Sequence, residues 1–464
     1  MRVLTSLVTG GLVMVSTLAA QTPGTPAAAP APTFNRHLAP ILFANCVACH
    51  RPGGVAPFSL MTFEAAQPYA EEIKVMVRER AMPPWYADPK FGQFRNARAL
   101  TQAQIDTIVA WADGGAPQGD GRPPPPPRFQ DAGWRMNRPP DLVLELPFGE
   151  YELPPQGEVQ TFTVWLKLPL RDDRFVQAIE IRPSHRGAVH HSSLSLAAAL
   201  PPGTRIGRAP VFPGGPALDG VPVYNDGRPF TASAGDAFGT PVMFYVPGGG
   251  LLQFPDGLAK RFRRDDWIAW GLHLISPGTP EKIRVQVGLW YARNDPHHEV
   301  KTWTVNQTLL VEGRELPYDA NGRRPIPDIP AGAANWSMTG VLKLDEDITI
   351  HSLWPHMHYR GKDMTFVLTQ PNGTQETLLS VPRYNPHWQL TYELARPLRV
   401  RKGSTITAYG HFDNSRANPH NPDPTMNVRF GEQGVNEMFI PFLEVSVDDE
   451  DLRFERLQQQ LRNP

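Results

Sequence analysis

Trp267-Ile268-Ala269-Trp270-Gly271-Leu272-His273-Leu274 is a short aromatic and aliphatic run that reads as a β-strand. It has companions. Runs rich in Val, Leu, Phe and Thr, separated by Gly and Pro turns, recur at 141–146, 159–166, 175–182, 267–276, 283–291, 338–344, 348–354, 364–368, 405–409 and 439–447. Many short strands between such turns predict antiparallel sandwiches. Ile326-Pro327-Asp328-Ile329-Pro330 offers a boundary between two of them. The expectation is two tandem all-β domains, 141–325 and 326–450, with a tail over 451–464.

Upstream the pattern changes. Pro123 to Pro127 is unbroken proline, read as a stiff polyproline II spacer within a linker over 120–140. Before it, 34–119 reads as a small all-α domain. Leu38, Ile41, Leu42 and Val47 mark its first helix. Tyr69, Ile73, Met76 and Val77 form one face of a second, over about 69–80. Thr101-x-x-Gln104 is a capping box opening a third, with Ile105, Ile108, Val109 and Ala112 as its stripe and Gly114 as its stop. The fold class is therefore multidomain: a small helical domain, then two antiparallel sandwiches. The length of 464 residues accommodates about three domains.

Residues 21–33, rich in Ala, Pro and Thr, read as a flexible tether. Residues 1–20 read as a secretory signal. Arg2 is followed by the apolar Leu4 to Leu18 and the small pair Ala19-Ala20. The stretch is short and interrupted by Thr, Ser and Gly, so export is expected, to the periplasm or beyond, with no membrane span after cleavage. The 45 basic and 46 acidic residues leave a net charge of -1, which does not favour nucleic acid as a partner.

The cysteines are Cys46 and Cys49 alone, in Cys46-Val47-Ala48-Cys49-His50. A disulfide across only two intervening residues would restrain little chain, so their value is chemical. C-x-x-C-H lets two thiols add to haem vinyl groups while the adjacent His50 reaches the iron. One covalent haem c is expected. Its sixth ligand is expected at Met82, in a proline-fixed loop. Met61 and Met76 are competitors, although Met76 fits the buried stripe of its helix. The order helix, C-x-x-C-H, helix, Met loop, helix resembles class I c-type cytochromes.

The remaining histidines cluster. His190 and His191 are adjacent, and His273 lies in the strand quoted above. His356 and His358, two apart, project to one face of a strand and can share a metal. The adjacent pair converges only through a twist or bulge. Imidazole suits Cu, Zn, Fe and Ni alike.

From about 141 to 448 the chain resembles the copper type II, ascorbate-dependent monooxygenases, the family of peptidylglycine α-hydroxylating and dopamine β-monooxygenases. The resemblance rests on Val189-His190-His191, Gly271-Leu272-His273, His356-Met357-His358 with Gly361-Lys362, Tyr384 to Gln389, and Gly431 to Met438. It implies two coppers: one on His190, His191 and His273 that stores and passes an electron, and one on His356, His358 and Met438 where O2 meets a substrate C–H bond. It implies two packed sandwiches with an open cleft between them. It also implies a small-molecule substrate and an external one-electron donor, ascorbate-like or a redox protein. The fused haem, itself a one-electron carrier, is expected to relay electrons to the His190/His191/His273 copper, the alternative being that it senses redox state or docks a partner. The family's disulfides are absent. Trp354 stands where the peptide enzyme holds a substrate carboxylate with Arg, and Ile440 and Phe442 replace its Asn and Tyr, so a neutral or apolar substrate is expected. A haem and copper electron carrier without hydroxylase activity is the alternative.

Overall fold

A computed structural model describes residues 31–454 except 130–132, 212–214, 229, 231–238, 277, 321, 323 and 432. The expected signal sequence, most of the expected tether, Glu432 and most of the tail lie outside the described residues. No described helix is long and apolar enough to cross a membrane.

The described chain is mostly β-sheet, preceded by short helices. The helical region is built from Phe34–Leu38, Ala39–Asn45, Phe63–Ala66, Ala70–Arg78 and Gln102–Asp113. Thr101 Oγ1 accepts from Gln104 N–H while Gln104 Oε1 accepts from Thr101 N–H, so the capping box forms and sets the start of the last helix. Phe34, Leu38, Leu42, Val47, Ile108 and Trp111 are wholly buried in a core of its own. The helix expected over 69–80 is Ala70–Arg78, and it buries Ile73 and Val77. Met76 does not join them: it is 36% exposed, because the stripe turns away from its side of the helix.

Two sheets follow. One orders Leu142–Leu153, Glu281–Tyr291, Arg174–Pro183, Leu258–Phe262 and His298–Glu299, with Leu251–Gln253 also on Arg174–Pro183. The other orders Glu158–Lys167, Trp267–Ile275, Val189–Ala197 and Thr240–Tyr245. Their facing residues, among them Ile179, Val285 and Leu289 from the first and Val164, Leu194 and Trp270 from the second, share one core. Burying both inner faces is what holds such a pair together. Residues 133–140, expected as linker, lie on this pair: Trp134 packs edge-on against Trp290, and Arg135 N–H donates to Glu180.

A second pair of sheets completes the chain. One orders Lys301–Thr304, Ile440–Val447, Ile348–His356 and Tyr392–Val400. The other orders Arg314–Glu315, Thr308–Val311, Trp336–Lys343, Thr405–Phe412, Gly361–Thr369 and Gln375–Val381. They too share a core. Lys301–Thr304 pairs with Ile440–Val447, and Thr308–Val311 with Trp336–Lys343. The chain therefore passes between the sheet pairs near residue 300, ahead of the expected boundary at 325/326. Ile329 is instead buried and bridged to Val428.

Candidate metal centres

The strand Trp267–Ile275 is central in its sheet, and Val189–Ala197 lies beside it. Their register is regular from Trp267↔Ala197 to His273↔His191, then jumps to Leu274↔Val189. His190 is the extra residue of a β-bulge. A bulge re-aims one side chain, so two adjacent histidines come to the same side. The ladder on the other flank is also irregular here, with Leu272 opposite Phe162 and Leu274 opposite Val159. Trp270 Nε1–H donates to Ser192 Oγ at 3.0 Å, and Ser192 Oγ–H to the Gly271 carbonyl at 3.0 Å, which ties the two strands together beside the bulge.

The result brings His190, His191 and His273 together, with ligand nitrogens all within 4.8 Å of one another. The His190 and His191 rings stack at 4.1 Å, and His273 stands 4.9 Å from one and 5.7 Å from the other. Burial, then the neighbouring His190 and His273, holds the His191 imidazole well below its ordinary pKa. It is therefore neutral near pH 7, as a metal ligand must be. His191 Nε2–H donates to the His387 carbonyl at 3.2 Å, leaving Nδ1 with the lone pair.

His356 closes the strand Ile348–His356, opposite Ile440, and His358 follows in a tight loop. The two rings are 5.2 Å apart and perpendicular. The loop is braced from beneath. Met357 is wholly buried, its N–H donates to Tyr384 Oη, and Tyr384 O–H donates to the Met357 carbonyl. Glu437, buried, accepts the His358 N–H at 2.9 Å and the Arg360 N–H at 2.6 Å. His358 Nδ1–H donates to the Asn436 carbonyl at 3.2 Å, leaving Nε2 for a ligand. Burial lowers His356 to about 3 and His358 to about 4, so both are neutral. His356 Nδ1 and the facing Gln389 Oε1 are both buried without a well-formed hydrogen bond. Two neutral imidazoles side by side, one with its Nδ1 only loosely met by Gln389, fit a metal. Met438, partly buried, lies two residues before the register partner of His356.

The two histidine sets face each other. The Phe244 ring is 5.5 Å from His191 and 6.1 Å from His356. Gln433 Nε2–H donates to the Thr161 carbonyl across the same seam. Phe244 thus lies between the two histidine sets, and the Gln433 contact joins the sheet pairs beside them. Trp354 stacks on Phe442 at 4.5 Å and meets Phe244 at 5.2 Å, giving His356 an aromatic surround. A charged cleft lined by Lys260, Arg263, Lys301 and Glu450 lies at the far ends of these strands, away from the histidines.

Cys46, Cys49 and His50 share one turn, in which Cys49 and His50 N–H both donate to the Cys46 carbonyl. Both thiols are free. Burial pushes Cys46 up to about 12, and raises Cys49 against the opposing pull of Arg98, Arg51 and Arg135. His50 Nδ1–H donates to the Phe58 carbonyl at 3.3 Å, which leaves Nε2 for an iron. Two free thiols and an oriented imidazole on one turn fit covalent haem. Met82 follows Ala70–Arg78, its N–H bonded to the Met76 carbonyl, and is partly buried like Met61.

Phe244, His387, His420 and Glu437 also belong to the neighbourhood of the two histidine sets. His387 and Glu437 stood inside motifs whose chemistry was credited to other residues. Nothing in sequence separates Phe244 or His420 from ordinary residues.

No family model and no curated protein matches the chain. Among solved structures, PNGF-II is 12% identical with a TM-score of 0.22 over 62% of this chain, which spans 60% of that one. The CBM22-1-CBM22-2 tandem domain of Paenibacillus barcinonensis Xyn10C is 11% identical, with a TM-score of 0.16 over 67% of this chain and 98% of that one. Allantoicase is 11% identical, with a TM-score of 0.15 over 63% and 83%. Likenesses this distant carry no argument about the site.

Proposed function

We propose that the chain is an exported copper-dependent monooxygenase that hydroxylates a C–H bond of a neutral or apolar organic molecule. It would carry a c-type cytochrome domain over 34–119 as an internal electron donor and two sandwich domains, each holding one copper. The observation that carries this reading is the His190 bulge, which gathers three imidazoles at a point the hydrogen-bond ladder would otherwise keep regular. His190, His191 and His273 would hold one copper, His356 and His358 with Met438 the other, and Cys46, Cys49 and His50 a haem with Met82 as its sixth ligand. Bound copper supplies one-electron redox chemistry and reactivity towards O2.

The chain's own residues do the rest. Burial keeps the imidazoles neutral. Backbone carbonyls of His387 and Asn436 fix which nitrogen of His191 and of His358 faces the ion. Phe244, Trp354 and Phe442 make an apolar surround at His356 in which an unpaired carboxylate would pay heavily for lost water. The test is copper-loaded protein with a reductant and a library of neutral substrates. Substrate-dependent O2 uptake with a product heavier by one oxygen supports hydroxylation. Two bound coppers and a reducible haem with no product would establish an electron carrier instead.

A further inference from the structure

The second sheet pair sends a residue into the first histidine set. His387 lies between Tyr384 and Leu390, more than a hundred residues from any of the three, and touches the set twice. Its carbonyl accepts His191 Nε2–H at 3.2 Å. Its ring stands 5.4 Å from that of His190, inside the 4.9–5.7 Å that separates His273 from His190 and His191. With a metal–nitrogen bond of about 2 Å, imidazoles placed tetrahedrally on one ion lie roughly 5 Å apart, ring centre to ring centre. The His387 ring has that spacing to His190 alone; the nitrogens that lie within 4.8 Å of one another are those of the trio, so His387 would have to turn towards the ion to join them. It also meets His420 at 5.2 Å and Tyr359 at 6.3 Å, both on the second pair. A turn fixes its place: His387 N–H donates to Asn385 Oδ1, whose Nδ2–H₂ donates to Tyr86 Oη.

We propose that His387 is a fourth imidazole ligand of the His190/His191/His273 site, so that metal bound there fastens the two sheet pairs together. This rests on the reading of that trio as a metal site. It goes beyond it in assigning a four-imidazole ion shared between the sheet pairs. The carbonyl of His387 orients His191 whatever side chain residue 387 carries, so substitution isolates the ring.

The experiment uses the full chain with His356→Ala and His358→Ala, leaving one copper site, titrated with Cu2+. Pulsed electron paramagnetic resonance should count four imidazoles, and three after His387→Ala. Affinity should fall roughly ten- to hundred-fold in His387→Ala. Copper should slow proteolysis of the segment between residues 292 and 300 with His387 present and fail to do so without it. Three imidazoles in the parent and unchanged affinity in His387→Ala would overturn the proposal while the trio stands as a metal site. Copper binding indifferent to His190→Ala would overturn both. The imidazole count in the parent needs no folded variant at residue 387.

Discussion

Glu437 sits one residue before Met438, with its carboxylate turned beneath the His356–His358 loop. Burial raises it to about 8, against the pull of the Arg360 and His358 N–H groups. Glu437→Ala would strand two buried N–H donors, at a cost of about 1–3 kcal/mol. Denaturant melts should show that loss, and metal analysis should show copper lost from His356 and His358 with the His190 site retained. His191→Ala should remove the other copper, read by the same analysis, and leave the first in place. The histidines themselves were legible, since imidazoles at i and i+2 or side by side carry a metal signal in their spacing. The bulge was foreseen only as a need. Which residue bulges depends on the register against Trp267–Ile275, almost eighty residues away. Phe244 and Glu437 act through partners just as remote, and neither residue type announces that work.

At the scale of elements, the strands that were legible are mostly those with a buried partner on each side. Trp267–Ile275 and Ile348–His356 are central, and their apolar runs show it. Those that escaped are largely edges: Thr240–Tyr245, Lys301–Thr304, Gln375–Val381 and Tyr392–Val400 each end a sheet order. An edge strand tolerates Pro and charge, so Pro241, Arg396 and Pro397 blur the alternation. The helix caps, being local, were read correctly. Thr101→Ala should cost about 1 kcal/mol by removing the acceptor for Gln104 N–H. A thermal melt of the helical signal measures it, and Thr101→Ser should restore most of the loss.

Across the whole molecule the helical region touches both sheet pairs. The segment after Met82 crosses the second pair. Asp88 N–H donates to Ser380, Arg95 N–H to Glu393, and Ala395 N–H back to Gln93, while Trp85 and Phe94 pack on Tyr392. On the first pair, Gly248 is bare because a Cβ there would lie 2.7 Å from Cys49 Sγ, and its φ of +80° favours glycine as well. Gly248→Val should push the Cys49 turn off that sheet pair, seen as faster hydrogen exchange over residues 46–56 with the sheet cores unchanged. None of this seating was legible, because it depends on surfaces that exist only once three cores have formed. The two sheet pairs are also joined directly, through Lys260 and Glu444 at 3.1 Å. Bracing from two sides resists a parting of the sheet pairs. Phe244, which stands between His191 and His356, shields those two rings, while His190 and His273 keep a partly open side. Phe244→Ala should accordingly quicken carbethoxylation of His191 and His356 by diethyl pyrocarbonate, read peptide by peptide in the mass spectrometer.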